Sequence, residues 1–222
     1  LSEKYDRNYP PLTSDQKEGL SEDEIKRWEE KAKTGLLRND STLQNLVSTL
    51  RRALYDTIEG VSGGLYSIGI TTGSYTDKGK LTIDENKLRE AIKNNPDKVM
   101  NIFAKESSIS YSADLDGKSR STRYSESGII NRIEDILKDY VRTTRDANGR
   151  KGILVEKAGI VGDVSEINNT IYREIAEYDE EIKRLIDLLT EKEISYYLKY
   201  AAMERALAQM SSQSSWLSSM FA

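Results

Sequence analysis

The chain has 222 residues, 37% hydrophobic and 32% charged, enough for one compact domain plus an extended part. Its 33 basic and 37 acidic residues leave a net charge of −4, so nothing in the balance marks a nucleic acid or an anionic membrane as partner, and no apolar run reaches the roughly 18 residues of a membrane span. Histidine and cysteine are both absent, which removes the imidazole base, the thiolate nucleophile and the zinc sites built on either; the chain reads as a non-enzyme, with no catalytic, cofactor-binding or metal-binding residues and no cofactor.

Residues 1–38 are polar and helical in pattern. The chain opens at Leu1 without an initiator methionine or a signal-peptide pattern, and it is read as a piece of a longer protein. Thr13-Ser-Asp-Gln16 and Ser21-Glu-Asp-Glu24 both fit the capping box, in which a hydroxyl and a carboxylate or amide three residues on satisfy free N–H groups. The second opens a short helix with Ile25, Trp28 and Ala32 on one face, stopped by Gly35. Trp28 is expected to pack on its own domain.

Residues 39–162 read as a mixed domain. Asn39-Asp-Ser-Thr caps a helix carrying Leu43, Leu46, Val47, Leu50, Leu54 and Ile58, ended by Gly60, Gly63 and Gly64. Tyr66–Thr72 and Lys80–Ile83 are β-prone runs around a turn-rich 73–79, which predicts a hairpin. Asp84 caps a helix with Leu88, Ala91 and Ile92, and Pro96 after Asn95 starts another with Val99, Ile102 and Phe103. Residues 105–127 hold eight serines and few aliphatics, the pattern of an exposed loop or weak edge hairpin. Ile129–Val141 is again helical. Asn148-Gly149 marks a tight turn before a short strand, Ile153–Val155, and Gly159 and Gly162 close the domain.

Residues 163–210 contain neither glycine nor proline. Ile171, Ile175, Tyr178, Ile182, Leu185 and Leu189 recur at alternating three- and four-residue steps, the seam of a coiled-coil helix. Such a rod cannot bury its own stripe and needs a second helix. An uncharged tail, residues 211–222, comes after it; its Trp216, Leu217, Met220 and Phe221 stand out from serines as partner-docking residues.

Chemical motifs are few. Gly60-Val-Ser-Gly63-Gly64 lacks the Lys-Ser/Thr of a phosphate loop, and Asp114-Leu-Asp116-Gly117 lacks the closing glutamate of a calcium loop. Asp179-Glu-Glu181 lies on a helix, where neighbours point apart, so it is a solvated face. Of two glycosylation sequons, Asn39-Asp-Ser41 serves as a cap and Asn168-Asn-Thr170 lies on the rod.

Leu65-Tyr-Ser-Ile68-Gly69-Ile70-Thr71-Thr72, Gly79-Lys-Leu81-Thr-Ile83-Asp84, Leu88, Ala91-Ile92 and Asn95-Pro96-Asp97-Lys-Val99 through Ile102-Phe103 together resemble the C-terminal half of the flagellar hook-associated protein 2 family. Ala202-Met203-Glu204, Met210, Ser212-Gln213, Trp216-Leu217 and Phe221-Ala222 resemble that family's last helix and end. Lys199-Tyr200 departs from the Gln-Phe pair expected there, and the Ser-rich 105–127 stretch departs too. The likeness covers residues 35–222 and is thin before them.

The resemblance implies an α+β fold: a mixed helix and β-hairpin leg domain, then a long coiled-coil helix and a flexible apolar tail. It implies a structural cap at the distal tip of the bacterial flagellar filament, outside the cell, where a homo-oligomeric ring of about five copies promotes flagellin folding and insertion. Partners implied are flagellin, hook-filament junction proteins and an export chaperone, with export through the flagellar channel. Two other readings stay open: another exported axial protein, such as flagellin or a junction protein, and a generic coiled-coil adhesin. No residue signals a carbohydrate site.

Overall fold

Short polar side chains start most of the helices in this computed structural model, which describes residues 1, 3–73 and 79–221. The fold is α+β: mostly helical, with one small two-stranded antiparallel sheet and a long C-terminal helix. The chain divides into two compact units, Leu1–Glu156 and Lys157–Ala222.

In the first unit, Thr13 and Ser21 form the expected capping boxes at α1 (Ser14–Glu18) and α2 (Glu22–Lys33). Trp28 packs on its own unit: its Nε1–H donates to the Pro10 carbonyl at 2.7 Å, and the Tyr9 ring stands edge-on with centroids 4.9 Å apart. Asp40 caps α3 (Ser41–Tyr55) by accepting the Leu43 N–H at 2.9 Å. The helix stops before Ile58, which turns inward from the loop and is buried. A 3₁₀ turn, Leu65–Ile68, replaces the first half of the expected strand, and β1 (Ile70–Thr72) then pairs antiparallel with β2 (Leu81–Ile83), Ile70 opposite Ile83. Residues 74–78 of the expected turn lie outside the described residues. Asp84 and Asn95 cap α4 (Glu85–Asn94) and α5 (Pro96–Ala104) through the N–H groups of Lys87 and Lys98, each at 3.1 Å. The core gathers Ile58, Leu65, Ile68, Ile70, Ile102 and Ile129, with Leu54, Leu88, Val99 and Phe103 around them.

The Ser-rich stretch is neither a loop throughout nor a hairpin. Asp116 accepts the N–H groups of Lys118 and Ser119 at 2.9 Å and opens α6 (Gly117–Glu126). No apolar stripe holds this helix. Arg123 clasps the Asp135 carboxylate at 2.6 and 2.9 Å from α7 (Ile129–Val141), and Arg120 pairs with Asp139 on the same helix. Glu126 accepts from Ser107 at 2.6 Å and from Ser108 at 2.8 Å; these bonds hold its carboxyl below the usual range and pin the preceding irregular stretch of chain. Arg132, on α7, is 1% exposed. Its guanidinium donates to the carbonyls of Tyr124, Asp56 and Thr57 at 2.7–2.8 Å and of Ser125 at 3.2 Å. Tyr124 and Ser125 stand in the last turn of α6, and Asp56 and Thr57 lie just past the last turn of α3, where the helix dipoles are negative, so one cation bridges the ends of two helices.

Two glycines let backbones meet. A Cβ on Gly128 would lie 2.6 Å from the Lys105 nitrogen, and one on Gly152 would lie 2.5 Å from the Arg142 nitrogen. Both glycines use that approach to donate an N–H at 2.8 Å, to Lys105 O and Arg142 O. The turn at Asn148-Gly149 forms as expected, with Asp146 accepting the N–H groups of Asn148 and Arg150. The strand expected at Ile153–Val155 is instead helical, α8 (Ile153–Ala158). Among the described residues no neighbouring strand offers it a ladder, while Glu156 reaches back to accept the Lys151 N–H at 2.7 Å and starts a helical turn.

The second unit leads into α9 (Thr170–Met220). The helix begins seven residues later than the glycine-free run suggests. Asp163 takes the Ser165 N–H at 2.8 Å, and Asn169 donates to Ser165 O and Glu166 O at 2.8 and 2.9 Å, which favours a 3₁₀ turn over 164–166. Asn169 then caps α9 through the Tyr172 N–H at 2.8 Å. At the other end, the helix does not stop at Met210 where the composition changes; it continues through the tail to Met220. Serine and glutamine are tolerated in a helix, and nothing there breaks one.

Candidate assembly surface

Helix α9 has 51 residues, about 76 Å at a rise of about 1.5 Å per residue, and none of them is buried. The six seam residues lie on it with exposures from 41% at Ile171 to 70% at Tyr178. Five large aliphatics and a tyrosine held about half open to water represent on the order of 1 kcal/mol each of unclaimed burial. The four tail residues expected to dock are open too: Trp216 is 61%, Leu217 50%, Met220 65% and Phe221 86% exposed.

Because the helix is unbroken, residues seven apart share a face. One column runs Ile175, Ile182, Leu189, Tyr196, Met203, Met210 and Leu217; beside it run Ile171, Tyr178, Leu185, Lys192, Lys199, Ala206, Gln213 and Met220. The seam and the tail therefore form one stripe. Leu217 and Met220 sit in the two columns, and Trp216 and Phe221 flank them. In the sequence the lysines interrupt the second column and set the tail apart from the seam; the seven-residue recurrence of Tyr196, Met203 and Met210 in the first column is the signal that joins them.

Beside the stripe the surface is ionic. Arg184 donates to Glu181 at 2.6 and 2.8 Å, which lowers the Glu181 pKa and raises that of Arg184. Both groups are exposed, so the pair adds solubility more than stability. Asp179, Glu180 and Glu181 are solvated, as their helical spacing requires.

The first unit contains a cleft of about 400 Å³ between α3, α6 and α7, lined by Arg52, Tyr111, Leu115, Arg120, Tyr124 and Asp139 among others. Its polar groups are mostly committed to the fold. The Tyr111 hydroxyl donates to Asp139 at 2.8 Å and that of Tyr124 to Asp56 at 2.9 Å; burial and these acceptors raise both phenols, Tyr124 to about 12. A phenol that holds its proton this firmly, facing a carboxylate, is a structural donor and no general acid at neutral pH. Among the described residues no cluster of acidic side chains has the arrangement of a metal site, and no helix is long and apolar enough to cross a membrane.

The family model for the C-terminus of flagellar hook-associated protein 2 matches residues 3–212, including the N-terminal stretch where the motifs are thin. The flagellar hook-associated protein 2 of Halalkalibacterium halodurans is 34% identical over 230 residues, covering 100% of this chain and 41% of the relative. That of Thermotoga maritima is 28% identical over 202 residues, covering 88% of this chain and 28% of the relative. The chain thus spans less than half the length of the curated relatives it matches. No solved structure matches it.

Proposed function

The chain belongs to the flagellar hook-associated protein 2 family, a family of structural flagellar proteins, and from that membership we propose that it is the C-terminal part of a filament cap. The match along residues 3–212 carries this reading. In it, copies of the longer protein form a ring at the distal tip of the filament, outside the cell, and help each arriving flagellin fold and insert beneath them. Residues 39–162 form the leg that meets flagellin.

The open stripe of α9 supports giving this helix the assembling role within the chain. Its seam pairs with a helix from the N-terminal part of the same longer protein, which supplies the burial the isolated rod lacks. The end of the stripe, Trp216 to Phe221, docks on flagellin or the hook-filament junction proteins at the tip, and on an export chaperone before secretion. All four apolar residues buried together would contribute roughly 6–12 kcal/mol gross, partly offset by ordering.

The test is a strain lacking its cap protein, supplied with the longer protein bearing this chain. Gold label confined to filament tips, with filament growth restored, is the expected result. Label along the filament wall would instead make the protein another axial component, and label independent of the flagellar export apparatus would make it an adhesin.

A further inference from the structure

Two positions in the stripe of α9 are cationic. Lys192 and Lys199 follow Leu185 at seven-residue steps, in the same column. A helical lysine can pair with a carboxylate three or four residues away. Neither does here. The positions so spaced around Lys192 are Leu188, Leu189, Ser195 and Tyr196, and those around Lys199 are Ser195, Tyr196, Ala202 and Met203. Two turns earlier the same helix does supply such partners, as with Arg184 and Glu181 at 2.6 Å. Lys199 rests its ammonium 5.4 Å from the Tyr196 ring centroid, and among the described residues no carboxylate pairs with either lysine.

An ammonium enclosed by a partner helix without a counter-charge is strongly unfavourable. Resting on the reading of α9 as one half of a coiled coil, we infer that its partner helix presents two carboxylates, seven residues apart, in the layers of Lys192 and Lys199. A second copy of α9 does not supply both: a parallel copy brings Glu193 to the flank of the Lys192 layer, but Tyr200 to the same flank of the Lys199 layer. Parallel pairing sets like columns against each other and antiparallel pairing sets unlike ones, yet neither column contains Asp or Glu. In parallel register the copies would place each lysine against itself. The two lysines therefore act twice: they select an acidic partner and they oppose self-pairing along this stripe.

Calorimetry with the 222-residue chain tests the inference. The probes are synthetic helical peptides, apolar at the seam, that differ only in bearing Glu or Lys at the two positions facing Lys192 and Lys199; each is made for parallel and antiparallel alignment. The Glu peptide should bind at least tenfold tighter than the Lys peptide, with the gap narrowing in high salt, and the K192E/K199E chain should reverse the preference. In sedimentation, K192L/K199L should self-associate at least tenfold more tightly than the unaltered chain. Equal binding of the two peptides, abolished alike by Ile182→Asp, overturns the charge assignment and leaves the seam standing. Failure of every peptide to bind overturns the seam and this inference together.

Discussion

The ring of Tyr124 lies 4.5 Å from the guanidinium of Arg132, and the carbonyl of the same tyrosine accepts the Arg132 Nε–H at 2.7 Å. Side chain and backbone of one residue thus hold a buried cation on two sides. Because Arg132 also reaches the carbonyls of Asp56 and Thr57, the end of α6 is tied to the end of α3 through backbone acceptors.

Arg132→Ala should lower the unfolding free energy of the chain by on the order of 3 kcal/mol, since it removes a buried side chain and takes the guanidinium donor from the partly buried carbonyls of Tyr124, Asp56 and Thr57. Arg132→Lys keeps the charge but loses the fork, and should recover only part of the loss. Urea titration of both variants beside the exposed Arg89→Ala is the check. Equal midpoints for Arg132→Ala and Arg89→Ala would show that the carbonyls find other donors.

Gly128→Ala should cost about 1–3 kcal/mol, because its Cβ would meet the Lys105 backbone at 2.6 Å and one end of the hydrogen-bonded approach must shift. Gly117→Ala, where a Cβ meets nothing within 4 Å, is the matched control and should be close to neutral. Thermal unfolding of the pair decides it; a control that unfolds as early as Gly128→Ala would remove the steric explanation.

Alkaline stability should reflect Tyr124. Its phenol is raised to about 12, by burial first and then by the bond to Asp56, so the folded state holds the proton more tightly than the unfolded chain. That contribution is fully present below the ordinary phenol value of about 10 and is lost as the pH climbs from there toward 12. Tyr124→Phe should therefore be less stable than the unaltered chain at pH 8 and should close the gap above pH 11. A gap that stays constant across this window would mean that the phenol does not titrate with unfolding.

Assembly should depend on the stripe of α9. Ile182→Asp or Leu185→Asp in the longer protein should reduce its assembly and swimming far more than Glu180→Lys, which changes a solvated face worth under about 0.5 kcal/mol. Deleting residues 215–222 should leave the Leu1–Glu156 unit folded while releasing excess flagellin to the medium. Normal motility in the deletion strain would show that the end of the stripe is dispensable.

Local polar chemistry was the most legible part of this chain. Thr13, Ser21, Asp84 and Asn95 name their helices because a cap is a contact within four residues. The hairpin strands could be read from Ile70–Thr72 and Leu81–Ile83, though the 3₁₀ turn before them could not, since Leu65 to Ile68 is locally as β-prone as Ile70 to Thr72. Helix α6 was invisible for a different reason. Its sequence carries no apolar period, and it is held by carboxylates on α7 that become neighbours only after folding. Arg132 likewise looks like a solvent position on an amphipathic helix until the ends of α3 and α6 surround it. In α9 the long helix was legible from its run without glycine or proline, but the compositional shift at Ser211 obscured that the helix goes on.

The unbroken course of α9 also sets a geometric demand on whatever grips it. A straight α-helix carries a seven-residue column backwards around its axis by about 20° per repeat, or roughly 120° between Ile175 and Leu217. A partner touching both residues must therefore wind about a third of a left-handed turn around the rod, or the rod must itself supercoil by as much. Rotating one end of the pair would then pull on the other. Had glycine or proline broken the helix near Met210, the two ends could have been seized independently; as one piece, they are mechanically geared.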